Sequence, residues 1–245
     1  MKVIVTTCKN RRQHLAPALA SWRQFLPDWV PLLVAVDDPE AVSMLAKTYL
    51  GAEWLATECT QPSFSKLQAQ AAGVAALPDG AAQVAMLDCD VVALLGMTDH
   101  CLSAPLAGGF MIPDHRRDGS DFCDDMGQLV APAEVLREAF ALLGDVTHWW
   151  GYGWEDVLLR CACWLVTEGK VRRRPAHWAH IPHTNLERIA AFDADETTVE
   201  HARRNRPLIL ADLERICAPY GITDWRKSGL ADLFWRGARG VEFLP

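Results

Sequence analysis

Hydrophobic and polar positions alternate between two periods over the first 95 residues. KVIVTTC (2–8) is a short β-rich run, and the segment 14–26 places Leu15, Leu19, Trp22 and Leu26 on one helical stripe. PLLVAV (31–36) predicts a second buried strand closed by Asp37-Asp38-Pro39, and EAVSMLAKTYLG (40–51) a helix ended by Gly51. EWLAT (53–57) reads as a third strand. FSKLQAQAAGVAAL (64–77) reads as an alanine-rich helix stopped by Pro78-Asp79-Gly80, and AQVAML (82–87) as a fourth strand. Such alternation implies an α/β, Rossmann-like fold with a mostly parallel central sheet and flanking helices. In such sheets ligands sit beyond the C-terminal ends of the strands.

From Gly96 to about Asp145 the pattern loosens around Gly108-Gly109, Pro113 and Gly119, interrupted by a predicted helix at 132–144. A second helix is predicted over 155–169, followed by the histidine-rich AHWAHIPHTN (176–185). The tail from Asp195 predicts two helices around APYGITDW (218–225). With no repeat, low-complexity tract or linker, a single domain over 1–245 is expected. Its parts are a nucleotide-binding half (1–95), a metal and acceptor half (96–194) and a helical tail (195–245).

Composition narrows the classes. The net charge of −7 argues against the basic surface that phosphate-rich nucleic acid requires, short runs such as Arg172–Arg174 apart. Eight cysteines form no C-x-x-C pair and suggest neither a disulfide framework nor a zinc site. Cys161 and Cys163 read as small core residues of a helix. No apolar stretch approaches the ~20 residues that span a bilayer, and no signal peptide precedes KVIVTT, so a reduced, cytoplasmic protein is expected.

Four stretches could carry chemistry. MLDCDVV puts Asp88 and Asp90 at the end of a buried strand, where residues i and i+2 can converge on one cation. A turn Asp after a strand-ending Asp explains the same pattern without a metal. HWAHIPH supplies His177, His180 and His183, with Pro182 against a regular helix through them. A carboxylate–imidazole set without thiolates suits Mn²⁺ or Mg²⁺. TTCKNRRQHL follows the first strand with Lys9, Arg11 and Arg12 and contains no glycine-rich phosphate loop, so direct cationic contact with a diphosphate is the available mode. WGYGWEDVLL (150–159) sets aromatic and glycine residues before Glu155-Asp156. Acids are favoured in a first helical turn by the dipole, but that preference leaves Trp150 to Trp154 unexplained. Aromatic faces beside a carboxylate suit sugar binding and removal of a hydroxyl proton.

Taken in chain order, these motifs together with FSKLQAQAAG (64–73) resemble the GT-A-fold glycosyltransferases, and most closely the β-1,4-galactosyltransferase type. CKNRRQHL is similar to that family's first-strand motif, Arg-Asn-Arg-x-x-His-Leu, and FSKLQAQAAG to its next element, a phenylalanine with a glycine nine residues later. DCD stands in the place of Asp-Val-Asp, WGYGWED of Trp-Gly-Trp-Gly-Gly-Glu-Asp, and HIPH of a Met-x-x-His pair. The chain departs from the pattern at Cys8, Tyr152, Trp154 and His180, which replace phenylalanine, tryptophan, glycine and methionine.

The resemblance implies a metal-dependent, inverting transfer of a sugar from a UDP-sugar donor to a hydroxyl acceptor. Asp156 would be the base and Glu155 would orient the acceptor. Asp90, His183 and His180 would hold Mn²⁺ or Mg²⁺. Thr6, Lys9, Arg11, Phe64, Lys66 and Asp88 would contact the nucleotide, with Phe64 on the uracil. Tyr152, Gly153 and Trp154 would face the sugars. A sugar-nucleotide nucleotidyltransferase and a non-catalytic nucleotide- or carbohydrate-binding module are the alternatives.

Overall fold

The computed structural model describes residues 1–36, 38–51, 54–61, 64–98, 102, 109–116, 122–124, 127–151, 153–175, 177–181 and 198–235. Four parallel strands form half of an eight-stranded sheet: β3 (Leu55–Cys59), β2 (Trp29–Val36), β1 (Lys2–Cys8) and β4 (Gln83–Met86), in that spatial order. The sheet continues through antiparallel β8 (Leu129–Pro132), β6 (Phe110–Arg116) and β7 (Phe122–Asp124), and β9 (Val171–Pro175) pairs parallel with β6. A separate two-stranded ribbon joins β5 (Val91–Ala93) to β10 (Trp178–His180).

The predicted strands and helices of the first half all form. Helix α1 (Arg12–Phe25) buries its Leu15, Leu19 and Trp22 stripe, and the Trp22 indole donates to the Val91 carbonyl at 3.0 Å, tying α1 to β5. Helix α2 (Pro39–Leu50) is capped by Asp38, whose side chain accepts from the Ala41 amide, and stops at Gly51 with φ +72°. Helix α3 (Lys66–Ala75) begins at Ser65, whose hydroxyl accepts from the Gln68 amide at 3.2 Å. Gly73 explains why α3 lies so close to the sheet. A Cβ there would stand 2.6 Å from Val5 Cγ1 and 2.9 Å from Val34 Cγ2.

The loosened region holds β6, β7 and β8, which periodicity did not reveal. β7 and β8 are short, β6 contains Pro113, and their pairing is set by distant partners rather than local pattern. Helices α4 (Ala133–Leu143) and α5 (Glu155–Val166) form where expected, and the tail opens with α6 (Thr198–Cys217). Buried side chains segregate to the two sheet faces. Val3, Val5, Val34 and Val84 pack with α3, α4, α5 and α6, and Ile4, Leu33 and Ala85 pack with α1 and α2. Cys161 and Cys163 are fully buried in the first layer, and burial pushes the Cys163 thiol up to about 12. Among the described residues, no helix is long and apolar enough to cross a membrane.

Candidate active site

The C-terminal ends of β1 and β4 meet because the two strands run parallel in register, with Val5 opposite Met86. The basic residues after β1 are thereby brought to the acidic residues after β4. Beyond β1 the chain turns through Asn10 at φ +54°, and the Arg11 guanidinium stands 3.5 Å from the Asp90 carboxylate. Lys9 is buried at the same end of β1. Thr6 is buried under the sheet face it shares with Ile4 and Cys8, and its hydroxyl has no hydrogen-bond partner.

Asp88 and Asp90 serve two different environments. Asp90 is 3% exposed and lies 3.6 Å from His180 Nδ1, because the Ile181 amide donates to the Asp90 carbonyl at 2.8 Å and β10 pairs with β5. Asp88 faces the other way, onto Lys66 at 2.7 Å. Lys66 Nζ also contacts Asp156 at 2.9 Å, so a single ammonium joins the end of β4 to the start of α5. Asp88 and Asp156 keep 27% and 21% of their side-chain exposure, so both carboxylates remain open to a ligand.

Gln128 completes this network and carries no signal in the sequence. It is fully buried, its amide nitrogen donates to Asp88 Oδ2 at 2.9 Å, and its amide oxygen accepts from the Asp88 backbone at 2.8 Å. The Gln128 carbonyl accepts from Arg160 at 3.0 Å, one helical turn beyond Asp156. Asp88 is thus fixed in one rotamer by a ring of contacts that returns to the helix bearing Asp156. Gly127 permits it, since a Cβ there would stand 2.1 Å from Asp88 Oδ2. A lone Gly-Gln before a strand is too common a pair to have been singled out.

Electrostatics divide the two acids of α5. Glu155 is 6% exposed and its Oε2 has no hydrogen-bond partner. Burial first, and then the Asp156 charge, push its carboxyl up to about 8. Asp156 instead holds a direct ion pair with Lys66. Burial opposes the Lys66 charge, but the carboxylates of Asp156 and Asp88 overcome it and hold the ammonium well above the ordinary lysine value. Burial likewise raises Asp88, against the pull of Lys66. The site therefore presents one neutral carboxylic acid beside one ion-paired carboxylate at neutral pH. Such a split separates a hydrogen-bond donor from a proton acceptor.

Within the aromatic turn, Trp154 is turned away from solvent. Trp154 adopts the left-handed conformation (φ +76°) at the start of α5, and its indole is 3% exposed. The ring stacks on Phe234 at 5.3 Å and donates to the Ala202 carbonyl at 2.8 Å, so it belongs to the core. Gly153 sits beside it at φ +97°. One face of Trp150 is covered by the Arg204 guanidinium, 3.2 Å from the ring centre. Phe64 is half-buried against the core at the start of α3, and its carbonyl accepts from the Gly151 amide, bringing the nucleotide-side helix to the turn. Tyr152 and His183 lie outside the described residues.

Asp90 and His180 offer one oxygen and one nitrogen donor side by side, which suits a divalent cation of the Mn²⁺ or Mg²⁺ kind. Among the described residues no group of three such donors forms.

No protein-family model matches the chain, and the curated proteins give no match. Solved structures do match in fold. Drosophila β-1,4-galactosyltransferase 7, in complex with manganese, UDP-Gal and xylobiose, is 15% identical with a TM-score of 0.52, over 80% of this chain and 76% of that one. Staphylococcus aureus TarS (1–349) is 10% identical with a TM-score of 0.51, over 99% of this chain and 82% of that one. The 4-diphosphocytidyl-2C-methyl-D-erythritol synthase of Anaerococcus prevotii is 12% identical with a TM-score of 0.52, over 78% and 96%. The fold is thus one shared by nucleotide-sugar glycosyltransferases and nucleotidyltransferases.

Proposed function

We propose that the chain is a metal-dependent, inverting glycosyltransferase that moves a sugar from a UDP-sugar to a hydroxyl acceptor. The observation that carries this reading is the Lys66 bridge, which places the carboxylate of α5 against the carboxylate at the end of β4. It ties the start of α5, which carries Glu155 and Asp156, to the C-terminal end of β4, the end of the sheet where a nucleotide-sugar would lie.

Asp156 is the proton acceptor. An inverting transfer is one displacement: the acceptor oxygen bonds to the anomeric carbon, the bond from that carbon to the diphosphate oxygen breaks, and the hydroxyl proton passes to Asp156. Glu155, neutral at pH 7, donates a hydrogen bond to an acceptor oxygen and orients it. Asp88, locked by Gln128 and Lys66, receives hydroxyls of the donor. Lys9 and Arg11 neutralise the diphosphate, and Phe64 stacks on the uracil. Asp90 and His180, with His183, would hold the divalent cation, which supplies charge for the departing diphosphate. Gly153 and Tyr152 would contact the sugars, whereas the Trp154 ring packs on Phe234 in the core.

The nucleotidyltransferase reading shares this fold and an acidic site. It lacks support at the end of β1, where Lys9-Asn10-Arg11 stands in place of a glycine-rich phosphate loop. Incubation with a panel of nucleotide-sugars, acceptors and Mn²⁺ tests the proposal. UDP release that requires acceptor and stops with EDTA is expected; pyrophosphate release from UTP and a sugar phosphate would overturn it.

A further inference from the structure

Among the described residues of the turn that delivers Glu155 and Asp156, the one regular pairing is the bridge of Gly151 with Ser65, so other contacts must hold the rest. They come from α6, to which the sequence pattern assigns no chemistry. Asn205, 1% exposed, donates from its side-chain amide to the Trp150 carbonyl at 3.1 Å and approaches the Gly153 carbonyl at 3.5 Å. One amide thus spans both ends of the glycine turn, and two carbonyl acceptors fix which way that amide points. Arg204 donates to the same Trp150 carbonyl at 3.2 Å while its guanidinium covers the Trp150 ring. The Trp154 indole donates to the Ala202 carbonyl, one helical turn earlier on α6.

Gly151 records how closely the two elements meet. A Cβ there would stand 2.6 Å from His201 Nδ1 and 2.8 Å from Arg204 Nη2, and the residue already sits at φ +79°. The same glycine donates to the Phe64 carbonyl, so the turn is held between α6 on one side and the start of α3 on the other.

We infer that Asn205 is a positioning residue: through the carbonyls of Trp150 and Gly153 it sets where α5 begins, and hence where Asp156 stands against Lys66. Its side chain is buried, 1% exposed, and its bonds run to the backbone of the turn. Its action is geometric, and a displacement of about 1 Å in a reacting group lowers turnover by roughly 100-fold. The inference rests on the transferase reading for its effect on rate, but the clamp itself can be measured without turnover.

The test compares the intact chain with Asn205→Asp, which keeps shape and loses the donor, with Asn205→Ala, and with Ile209→Val. Ile209 is fully buried on the same helix and makes no contact with the turn's carbonyls in the network above, so its variant measures loss of α6 packing alone. Hydrogen exchange by mass spectrometry should show peptides covering 149–158 exchanging at least about tenfold faster in both Asn205 variants. Ile209→Val should leave those peptides unchanged. In steady-state assays the Asn205 variants should lose about 10–100-fold in kcat with donor KM within roughly twofold. Gly151→Ala, whose methyl group would wedge the turn away from α6, should reproduce that split if an Asn205 variant does not fold. Unchanged exchange over 149–158, or equal kcat losses in Ile209→Val, would overturn the inference. Faster exchange in the Asn205 variants of a chain that releases no UDP would uphold the clamp and refute the transferase reading instead.

Discussion

Glu155→Gln isolates the cost of burying a carboxyl at the start of α5. The side chain is 6% exposed, one oxygen lacks a hydrogen-bond partner, and its carboxyl rises from 4.5 to about 8. Because the folded value lies above the unfolded one, the fold binds this proton more tightly than the unfolded chain does. Stability is therefore full below about pH 4.5 and falls as pH rises towards 8. At about 1.4 kcal/mol per unit, integration from pH 5 to 8.5 gives a loss of roughly 3–4 kcal/mol. Glutamine keeps the shape and carries no titrating proton, so it removes this slope. Melting both proteins at pH 5, 7 and 8.5 should show similar midpoints at pH 5. The variant should gain roughly 6–16 °C over wild type by pH 8.5, at about 2–4 °C per kcal/mol for a chain of this size. The difference between the two proteins matters, since every other titrating group is common to both. An offset that stays constant across pH would refute the argument and show that Glu155 ionises in the fold as it does in the unfolded chain.

Asp156→Asn preserves shape but cannot take a proton; it should bind UDP with Mn²⁺ as wild type does by calorimetry, while turnover falls about 10²–10⁴-fold. Trp154→Gly relieves a left-handed tryptophan, worth about 1 kcal/mol, but forfeits a buried ring worth about 3–5 kcal/mol. Urea unfolding should show it less stable by roughly 2–4 kcal/mol. Gly73→Ala gains about 1 kcal/mol of helix propensity yet forces a methyl group into Val5 and Val34, a strain of about 1–3 kcal/mol. A lowered urea midpoint is expected, and a raised one would mean that α3 can move off the sheet.

The sequence alone determined the parallel half of the fold and the neighbourhood of the site. Strands β1 to β4 and helices α1 to α3 are encoded locally, by side-chain periods and by stop signals such as Gly51, and the stretches singled out for chemistry supply Arg11, Lys66, Asp88, Asp90, Asp156 and His180. Their division of labour was not legible. The resemblance implies a nucleotide contact for Lys66, and the packing of α3 beside α5 also brings its ammonium between Asp88 and Asp156. The aromatic run before Glu155 suggested a sugar platform, whereas Trp154 is turned into the core by Phe234 and Ala202, residues 80 and 48 positions away, the second separation being that of its hydrogen bond. Gln128, Arg160 and Asn205 gave no signal because a buried amide or guanidinium is specified by its partners, and those partners lie 32 to 55 residues off in the chain. Local pattern reports which face of an element is apolar. Which polar groups meet, and which of two adjacent acids keeps its proton, depends on burial and on charges that only the folded chain brings within a few ångströms.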